Sequence, residues 1–220
     1  SGPGTMAARI RRGLYAITDT ALLADRVLVE RVEQAIRGGA TVIQYRDKQL
    51  SPAQRQRQAA ALATVCGNYG VPLIVNDDVA LAAAVGAAGV HLGEHDTGLQ
   101  AARRELGPDA IIGVSCYNRV DLARQAADCG ADYVAFGRFF ASSTKPAAIQ
   151  ATPALLADAR QAIDLPIVAI GGITPENGRE LLSAGADLLA VIHGVFGQPD
   201  VEAAARRYAA LFGSGEVNAE

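Results

Sequence analysis

Short apolar runs alternate with longer segments of helical pattern along nearly the whole chain. Eight such runs, four to six residues long, have the length and composition of buried β-strands. Glycine beside other small residues marks the returns from helix to strand, as at residues 38–40 and 184–187. The predicted strands cover residues 14–18, 41–46, 72–75, 89–92, 111–115, 133–137, 166–171 and 188–192.

Eight strand-then-helix units in 220 residues predict an α/β fold of the (β/α)8 TIM-barrel type, with the active site at the carboxyl ends of the strands. A doubly wound open sheet is the alternative. No Pro/Ser-rich linker, block of charge or shift in composition divides the chain, so residues 6–220 are predicted to form one domain. Residues 1–5 precede Met6, lack an apolar segment and resemble a remnant of an expression vector.

Carboxylates follow two strands that are neighbours in the predicted barrel. Asn76, Asp77 and Asp78 come after the run at 72–75, and Asp96 lies beyond the run at 89–92. Parallel neighbours bring these groups to the same rim, where oxygen ligands without paired Cys or His favour Mg²⁺. The alternative is that Asn-Asp-Asp caps the following helix. The pattern alone leaves both interpretations open.

The second predicted strand continues into the segment Gln-Tyr-Arg-Asp-Lys, residues 44–48. Because side chains alternate along a strand, Gln44, Arg46 and Lys48 point one way while Tyr45 points the other. Arginine grips phosphate bidentately and lysine acts as a point charge, so the set suits a diphosphate group. A solvated charged loop with surface ion pairs is the alternative.

The loop after the sixth predicted strand carries hydroxyls and a cation, which could close over a bound anion and exclude water. An ordinary surface loop is the alternative. These residues are Ser142, Ser143, Thr144 and Lys145.

The loops after strands seven and eight often bind a phosphate through backbone N–H groups in barrels of this type, and glycine permits the close approach. The candidates here are Gly171 and Gly172 after the seventh run, and Ile192 and His193 after the eighth. For the two glycines, a simple tight turn is the alternative.

Composition narrows the classes of partner. Half of the residues are apolar, yet no uninterrupted apolar run approaches the ~20 residues of a membrane span. The formal net charge is -3 with Lys and Arg dispersed, so neither nucleic acid nor an anionic membrane is expected as a partner. Cys66, Cys116 and Cys129 are odd in number and lack CxxC spacing, which argues against disulfides or zinc and predicts a reducing cytoplasmic location.

Seven short motifs occur in order at predicted strand ends: QYRDK, NDD, GVHLGEHD, GVSCYN, FGRFFASSTKP, AIGGI and AVIHGVF. With this set the chain resembles the thiamine-phosphate synthase family over residues 14–212. The resemblance implies a barrel enzyme with one Mg²⁺ per subunit. Such an enzyme couples 4-amino-5-hydroxymethyl-2-methylpyrimidine diphosphate to 4-methyl-5-(2-phosphoethyl)thiazole, forming thiamine phosphate and diphosphate through a pyrimidine cation.

The resemblance also implies a role for individual residues. Asp77 and Asp96 would ligate Mg²⁺, with Asp78 one shell further out. Arg46, Lys48, Ser115 and Lys145 would act in catalysis. The pyrimidine diphosphate would be held by Gln44, Arg46, Lys48 and Lys145, with Asn76 contacting it beside the metal. Ser115 would lie near the diphosphate or the reacting carbon, and Tyr45 and Asp47 would also bind substrate. The thiazole phosphate would contact Ser142, Ser143, Thr144, Gly172, Ile192 and His193, with backbone groups alone at His193 because family members often carry serine there.

Two other functions fit parts of the pattern. A related thiazole tautomerase uses the same barrel but relies on a histidine near the end of strand five, where GVSCYN has none. A non-catalytic barrel that binds phosphorylated ligands is the second, because a fold alone does not establish function. The sequence leaves the oligomeric state open, a homo-oligomer included. Cys116, His91 and Tyr133 are predicted to be structural, with His91 a hydrogen-bonded core residue.

Overall fold

A computed structural model describes residues 10–93, 98–141 and 150–216. Eight parallel strands pair in chain order, and the eighth returns to the first, so the sheet closes. This closure confirms the TIM barrel and excludes the open sheet. The strands are β1 Gly13–Ile17, β2 Ala40–Tyr45, β3 Leu73–Asn76, β4 Gly89–Leu92, β5 Ile111–Tyr117, β6 Tyr133–Phe136, β7 Ile167–Ile170 and β8 Leu188–Val191.

Helices follow the strands and form the outer layer of the barrel. Within the described ranges they are α1 Asp25–Arg37, α2 Pro52–Tyr69, α3 Val79–Val85, α4 Gly98–Leu106, α5 Val120–Asp128, α6 Pro153–Ala162, α7 Gly178–Ala184, α8 His193–Phe196 and α9 Val201–Glu216. None of the described helices is both long and apolar enough to cross a membrane.

Strand alternation divides the apolar side chains into two layers. One face of β1 places Leu14 and Ala16 against the helices, whereas Tyr15 and Ile17 fill the barrel interior. Cys116 lies in the outer layer, as predicted. Only glycine fits at Gly113, because a Cβ there would overlap the ring of the Tyr133 side chain that fills the barrel.

Two equivalent ion pairs fasten helices to the amino ends of strands. Arg103 lies 2.8 Å from Asp132, and Arg160 lies 2.7 Å from Asp187. Each aspartate also accepts a backbone N–H bond at the start of a neighbouring strand. Both follow the Gly-Ala turns seen in the sequence, and they stabilise the end of the barrel opposite the predicted active site.

Candidate active site

A cavity of about 300 Å³ opens at the carboxyl ends of the strands. We call it the mouth cavity. All eight strands contribute to its lining, which combines apolar side chains, the phenols of Tyr15 and Tyr133, and six other polar side chains: Gln44, Arg46, Asn76, His91, Ser115 and Arg138. A larger cleft of about 780 Å³ lies at the opposite end, beside the amino ends of β3 to β5. The mouth cavity is the candidate site because polar groups from separate strands converge there.

The floor of the mouth cavity holds five side chains in one continuous hydrogen-bond chain. Gln44 Nε2 donates to Tyr15 Oη at 2.8 Å, and Tyr15 Oη lies 2.6 Å from Tyr133 Oη. Tyr133 Oη lies 2.8 Å from His91 Nδ1, and His91 Nε2 lies 2.7 Å from Ser115 Oγ. The prediction of a hydrogen-bonded His91 is thus confirmed, whereas the links through both tyrosines were not foreseen.

Burial keeps this floor electrically neutral. It raises the pKa of Tyr15 to about 12 and the pKa of Tyr133 well above its ordinary value. It also lowers the pKa of His91 to about 4, although the nearby Asp77 carboxylate opposes that shift. At neutral pH the phenols keep their protons and the imidazole is uncharged.

The charges lie at the rim instead. Gln44 and Arg46 both line the mouth cavity, in agreement with the predicted alternation. Lys48 Nζ lies 2.8 Å from Asp77 Oδ2, and both of these side chains are about half exposed, at 53% and 51%. The β2 segment therefore supplies an amide, a guanidinium and an ammonium group to one edge of the site. The chain contains only two lysines, Lys48 and Lys145, and both belong to the predicted site.

Arg138 is a second guanidinium at the mouth cavity, which the sequence reasoning did not assign. It follows β6 in the FGRFF motif. A Cβ at Gly171 would lie 2.6 Å from Arg138 Cγ, so the absence of a side chain at Gly171 makes room for the arginine stem. A cation directly after a barrel strand is the signal that could have identified it.

Asp77 directly follows β3 and lies beside β4. Its φ of 63° is unusual for a residue other than glycine, and its N–H donates to His91 O at 2.8 Å. Asp77 Oδ1 faces Gly93, where a Cβ would be 3.9 Å away. The carboxylate therefore points toward Gly93; Asp96, three positions further on, lies outside the described residues.

The segment Asn76–Asp78 is predicted from sequence to be either part of a metal site or a helix N-cap, and the structure places its residues differently. Asn76 lines the mouth cavity, with Nδ2 3.5 Å from Asp77 Oδ2. Asp78 is the N-cap of α3, because its Oδ1 accepts from Leu81 N at 2.9 Å, and its Oδ2 lies 3.2 Å from Arg55. Asp78 is thus engaged in capping, while Asp77 faces the site.

The side chains of Tyr45 and Asp47 point away from the mouth cavity, so the predicted substrate contacts at these two positions would have to come from the backbone. Tyr45 is buried among the helices and donates its O–H to Gln58 Oε1 at 2.7 Å. The Asp47 side chain is fully buried and accepts hydrogen bonds from Thr20 Oγ1 at 2.8 Å and Leu50 N at 3.0 Å. Strand alternation turns Tyr45 toward the helices, and Asp47 stabilises its own loop through these hydrogen bonds.

Gly171 and Gly172 both adopt positive φ, at 114° and 62°. A Cβ at Gly172 would lie 2.9 Å from Phe140 O, so the loop after β6 packs directly on this turn. Glycine is required here by conformation and by close packing, and of the two residues Gly171 is buried while Gly172 is exposed.

Ile192 lines the mouth cavity, and His193 begins the short helix α8. The His193 side chain is exposed and lies over the next turn, since a Cβ at Gly197 would be 2.8 Å from its Nε2. The imidazole is therefore directed along the helix surface. Four further predicted contacts lie outside the described residues: Ser142, Ser143, Thr144 and Lys145.

Comparisons with known proteins agree with this geometry. The family model for thiamine monophosphate synthase matches residues 14–195. A thiamine-phosphate synthase of Alcanivorax borkumensis is 54% identical over 203 residues, covering 91% of this chain and 94% of the relative. One from Acidithiobacillus ferrooxidans is 55% identical with the same coverage. The solved thiamine phosphate pyrophosphorylase of Pyrococcus furiosus is 34% identical, with a TM-score of 0.84 over 94% of this chain and 98% of that one.

Proposed function

The chain belongs to the thiamine monophosphate synthase family, and from this we propose that it is a transferase making thiamine phosphate. Its substrates are 4-amino-5-hydroxymethyl-2-methylpyrimidine diphosphate and 4-methyl-5-(2-phosphoethyl)thiazole, and diphosphate is released. The observation that carries this assignment is the separation of charge at the carboxyl ends of the strands, where Arg46 lines the mouth cavity above a neutral floor and Lys48 lies beside Asp77. Cations suit the diphosphate, and the neutral floor suits an uncharged aromatic ring.

Bond breaking comes first in the proposed reaction. The C–O bond of the pyrimidine methylene breaks, and both electrons leave with the diphosphate. Arg46, Lys48 and Lys145 stabilise that developing negative charge, and the electron-rich aminopyrimidine carries the positive charge left on the methylene carbon. The lone pair of the thiazole nitrogen then forms the new C–N bond. No protein nucleophile is needed, because the two substrates supply both reacting atoms and the cavity supplies their orientation.

The donor set at the mouth fits a hard cation. Asp77 and Asn76 offer oxygen atoms there, and Mg²⁺ usually takes only one or two protein carboxylates beside water and phosphate. Among the described residues no group of three or more His, Cys, Asp or Glu is placed to hold a metal ion, and Asp96 lies outside them. We infer that Asp77 and Asp96 hold one Mg²⁺ per subunit, which would neutralise charge on the departing diphosphate.

The contacts of His91 weigh against the isomerase alternative. Both of its ring nitrogens are engaged, one by Tyr133 and the other by Ser115, so it is not poised to move protons on a ligand. Ser115 and Cys116 occupy the end of β5, where the tautomerase has its histidine.

Omission of each substrate in turn tests the function. The synthase should release diphosphate only when both substrates and Mg²⁺ are present. An isomerase would convert a thiazole phosphate without the pyrimidine, and a binding protein would release no diphosphate in any mixture.

Replacing Lys145 with alanine should impair departure of diphosphate more than binding of the thiazole. An interaction made with charge that develops in the transition state lowers kcat, whereas uniform binding changes KM. Steady-state kinetics with each substrate varied would measure both, and Lys145→Arg, which keeps the charge, is the matched control. A rise confined to the thiazole KM would show that the role given to Lys145 is wrong.

His193→Ser should retain most activity. The imidazole lies over Gly197, so the phosphate contact proposed here comes from the backbone at Ile192 and His193, which serine preserves. The thiazole KM should stay within about twofold at neutral and at acidic pH, a difference below ~0.5 kcal/mol. A rise of about tenfold at acidic pH would instead identify the imidazolium as the phosphate ligand.

A further inference from the structure

Tyr15, Tyr133 and His91 form the neutral floor of the mouth cavity, and they also join two residues with proposed roles at the diphosphate. Their polar atoms connect Gln44 on one side of the mouth cavity to Ser115 on the other through four contacts of 2.6 to 2.8 Å. Both phenols are almost fully buried, with 2% and 1% of their surface exposed. The rings also pack on one another, Tyr15 edge-on to Tyr133 and His91 stacked on it.

The hydrogen bonds across the floor run in one direction, which the Gln44 amide sets. An amide nitrogen can only donate, so Tyr15 Oη accepts from Gln44. Because Tyr15 is buried and an unpaired O–H is costly there, we assign its own hydrogen to Tyr133 Oη, its other contact. The Tyr133 hydrogen then goes to Nδ1 of His91. A neutral imidazole that accepts at Nδ1 carries its hydrogen on Nε2, and this hydrogen is donated to Ser115 Oγ.

This direction leaves the hydrogen of the Ser115 hydroxyl available to the mouth cavity. Anionic phosphate oxygens only accept hydrogen bonds, so a serine that already accepts from His91 is oriented to donate to them. In the opposite direction the Ser115 O–H would donate to His91 Nε2. The serine oxygen would then turn only lone pairs toward the anion, which is unfavourable.

We propose that Tyr15, Tyr133 and His91 are positioning residues, which transmit the donor direction of the Gln44 amide to Ser115 so that its O–H faces the departing diphosphate. The identity of the anion rests on the proposed function. The direction of the hydrogen bonds rests on the Gln44 donor and on the four contacts across the floor. Towards the diphosphate these three residues act only through Ser115.

The tautomer of His91 tests the direction without any assay of activity. ¹⁵N-histidine labelling with long-range ¹H–¹⁵N spectra reports which ring nitrogen carries hydrogen, and His91→Asn assigns the signal among the three histidines. The wild type should show hydrogen on Nε2. Gln44→Glu should move it to Nδ1, because a carboxylate can only accept and reverses every bond in the chain.

Tyr208→Phe is the matched control for that spectrum. It also removes a buried phenol O–H, but that group donates to Ile173 O and takes no part in the hydrogen bonds across the floor. The His91 tautomer should therefore not change. If Gln44→Glu fails to fold, Tyr133→Phe replaces it and should leave His91 without a preference between its tautomers. A wild-type hydrogen on Nδ1, or a tautomer unaffected in both folded variants, would overturn the proposal.

Kinetics test the consequence for Ser115. Tyr133→Phe should lower kcat about tenfold, as for loss of one well-placed hydrogen bond, with both KM values within about twofold. If Tyr133 had only a structural role, Tyr133→Phe would lower the stability of the fold and leave kcat of the folded enzyme unchanged. That result would overturn the proposal. A wild type that released no diphosphate would instead refute the proposed function, while the tautomer experiment would still decide the direction of the chain.

Discussion

Arg46→Ala should lower kcat by about 10²- to 10³-fold, the loss typical when one preorganised donor to a developing negative charge is removed. The guanidinium lines the mouth cavity at the end of β2, where the diphosphate is proposed to leave. Diphosphate release at saturating substrate and Mg²⁺ measures the effect, and circular dichroism checks the fold.

The control for this variant is Arg57→Ala. Arg57 is an exposed arginine on α2 that lies 3.2 Å from Asp25, so its loss removes a surface ion pair and should leave kcat unchanged. If Arg46→Ala raised only a KM while kcat stayed at the wild-type value, Arg46 would serve uniform binding and the proposed stabilisation of the leaving group would be wrong.

Asp77→Asn should lower turnover about a hundredfold and shift Mg²⁺ activation to higher concentration. A catalytic metal contributes several kcal/mol to stabilising charge, and an amide is a weaker ligand than a carboxylate. Asp96→Asn is expected to act in the same direction. Because Asp77 is half exposed at a strand end, the fold should be retained, which circular dichroism would verify.

Asp25→Asn is the matched control, since Asp25 also pairs with an exposed cation but lies on the helical surface. Its Mg²⁺ titration should overlay that of the wild type. Full activity of the double variant Asp77→Asn, Asp96→Asn across the Mg²⁺ titration would exclude these residues as the metal site.

The barrel could be predicted from sequence because its signals are local. Each strand is a short apolar run whose side chains alternate between two packed layers, and the observed bounds differ from the predicted ones by at most two residues. β5 extends furthest beyond its prediction, because Tyr117 pairs with Phe136 after an irregularity in register. The polar residues that directly follow strands, such as Arg46 and Asp77, could be placed for the same reason.

The hydrogen-bond chain across the floor could not be predicted in this way. Tyr15 and Tyr133 are 118 positions apart and meet only because the closed barrel directs both rings inward. Their sequence pattern is that of ordinary core aromatics, and nothing local indicates that their hydroxyls touch. His91 was predicted to be hydrogen-bonded, but its partners depend on how β4, β5 and β6 align across the closed sheet.

Tyr45 and Asp47 show a different limit. The contiguous segment 44–48 was assigned to the substrate site as a whole, although alternation along β2 already turned Tyr45 away from Gln44. A motif marks a stretch of chain, whereas chemistry depends on individual side-chain directions. Asp47 is the harder case, because its burial arises from hydrogen bonds to Thr20 and Leu50 that form only when the loop folds.

The mouth cavity is proposed to join two phosphorylated rings, and quantifying both products of one reaction is the most direct test. With both substrates and Mg²⁺ present, thiamine phosphate and diphosphate should appear in equal amounts and at equal rates. Diphosphate formed without thiamine phosphate would reveal a hydrolase, and a changed thiazole phosphate with neither product would reveal an isomerase. Either result would contradict the account.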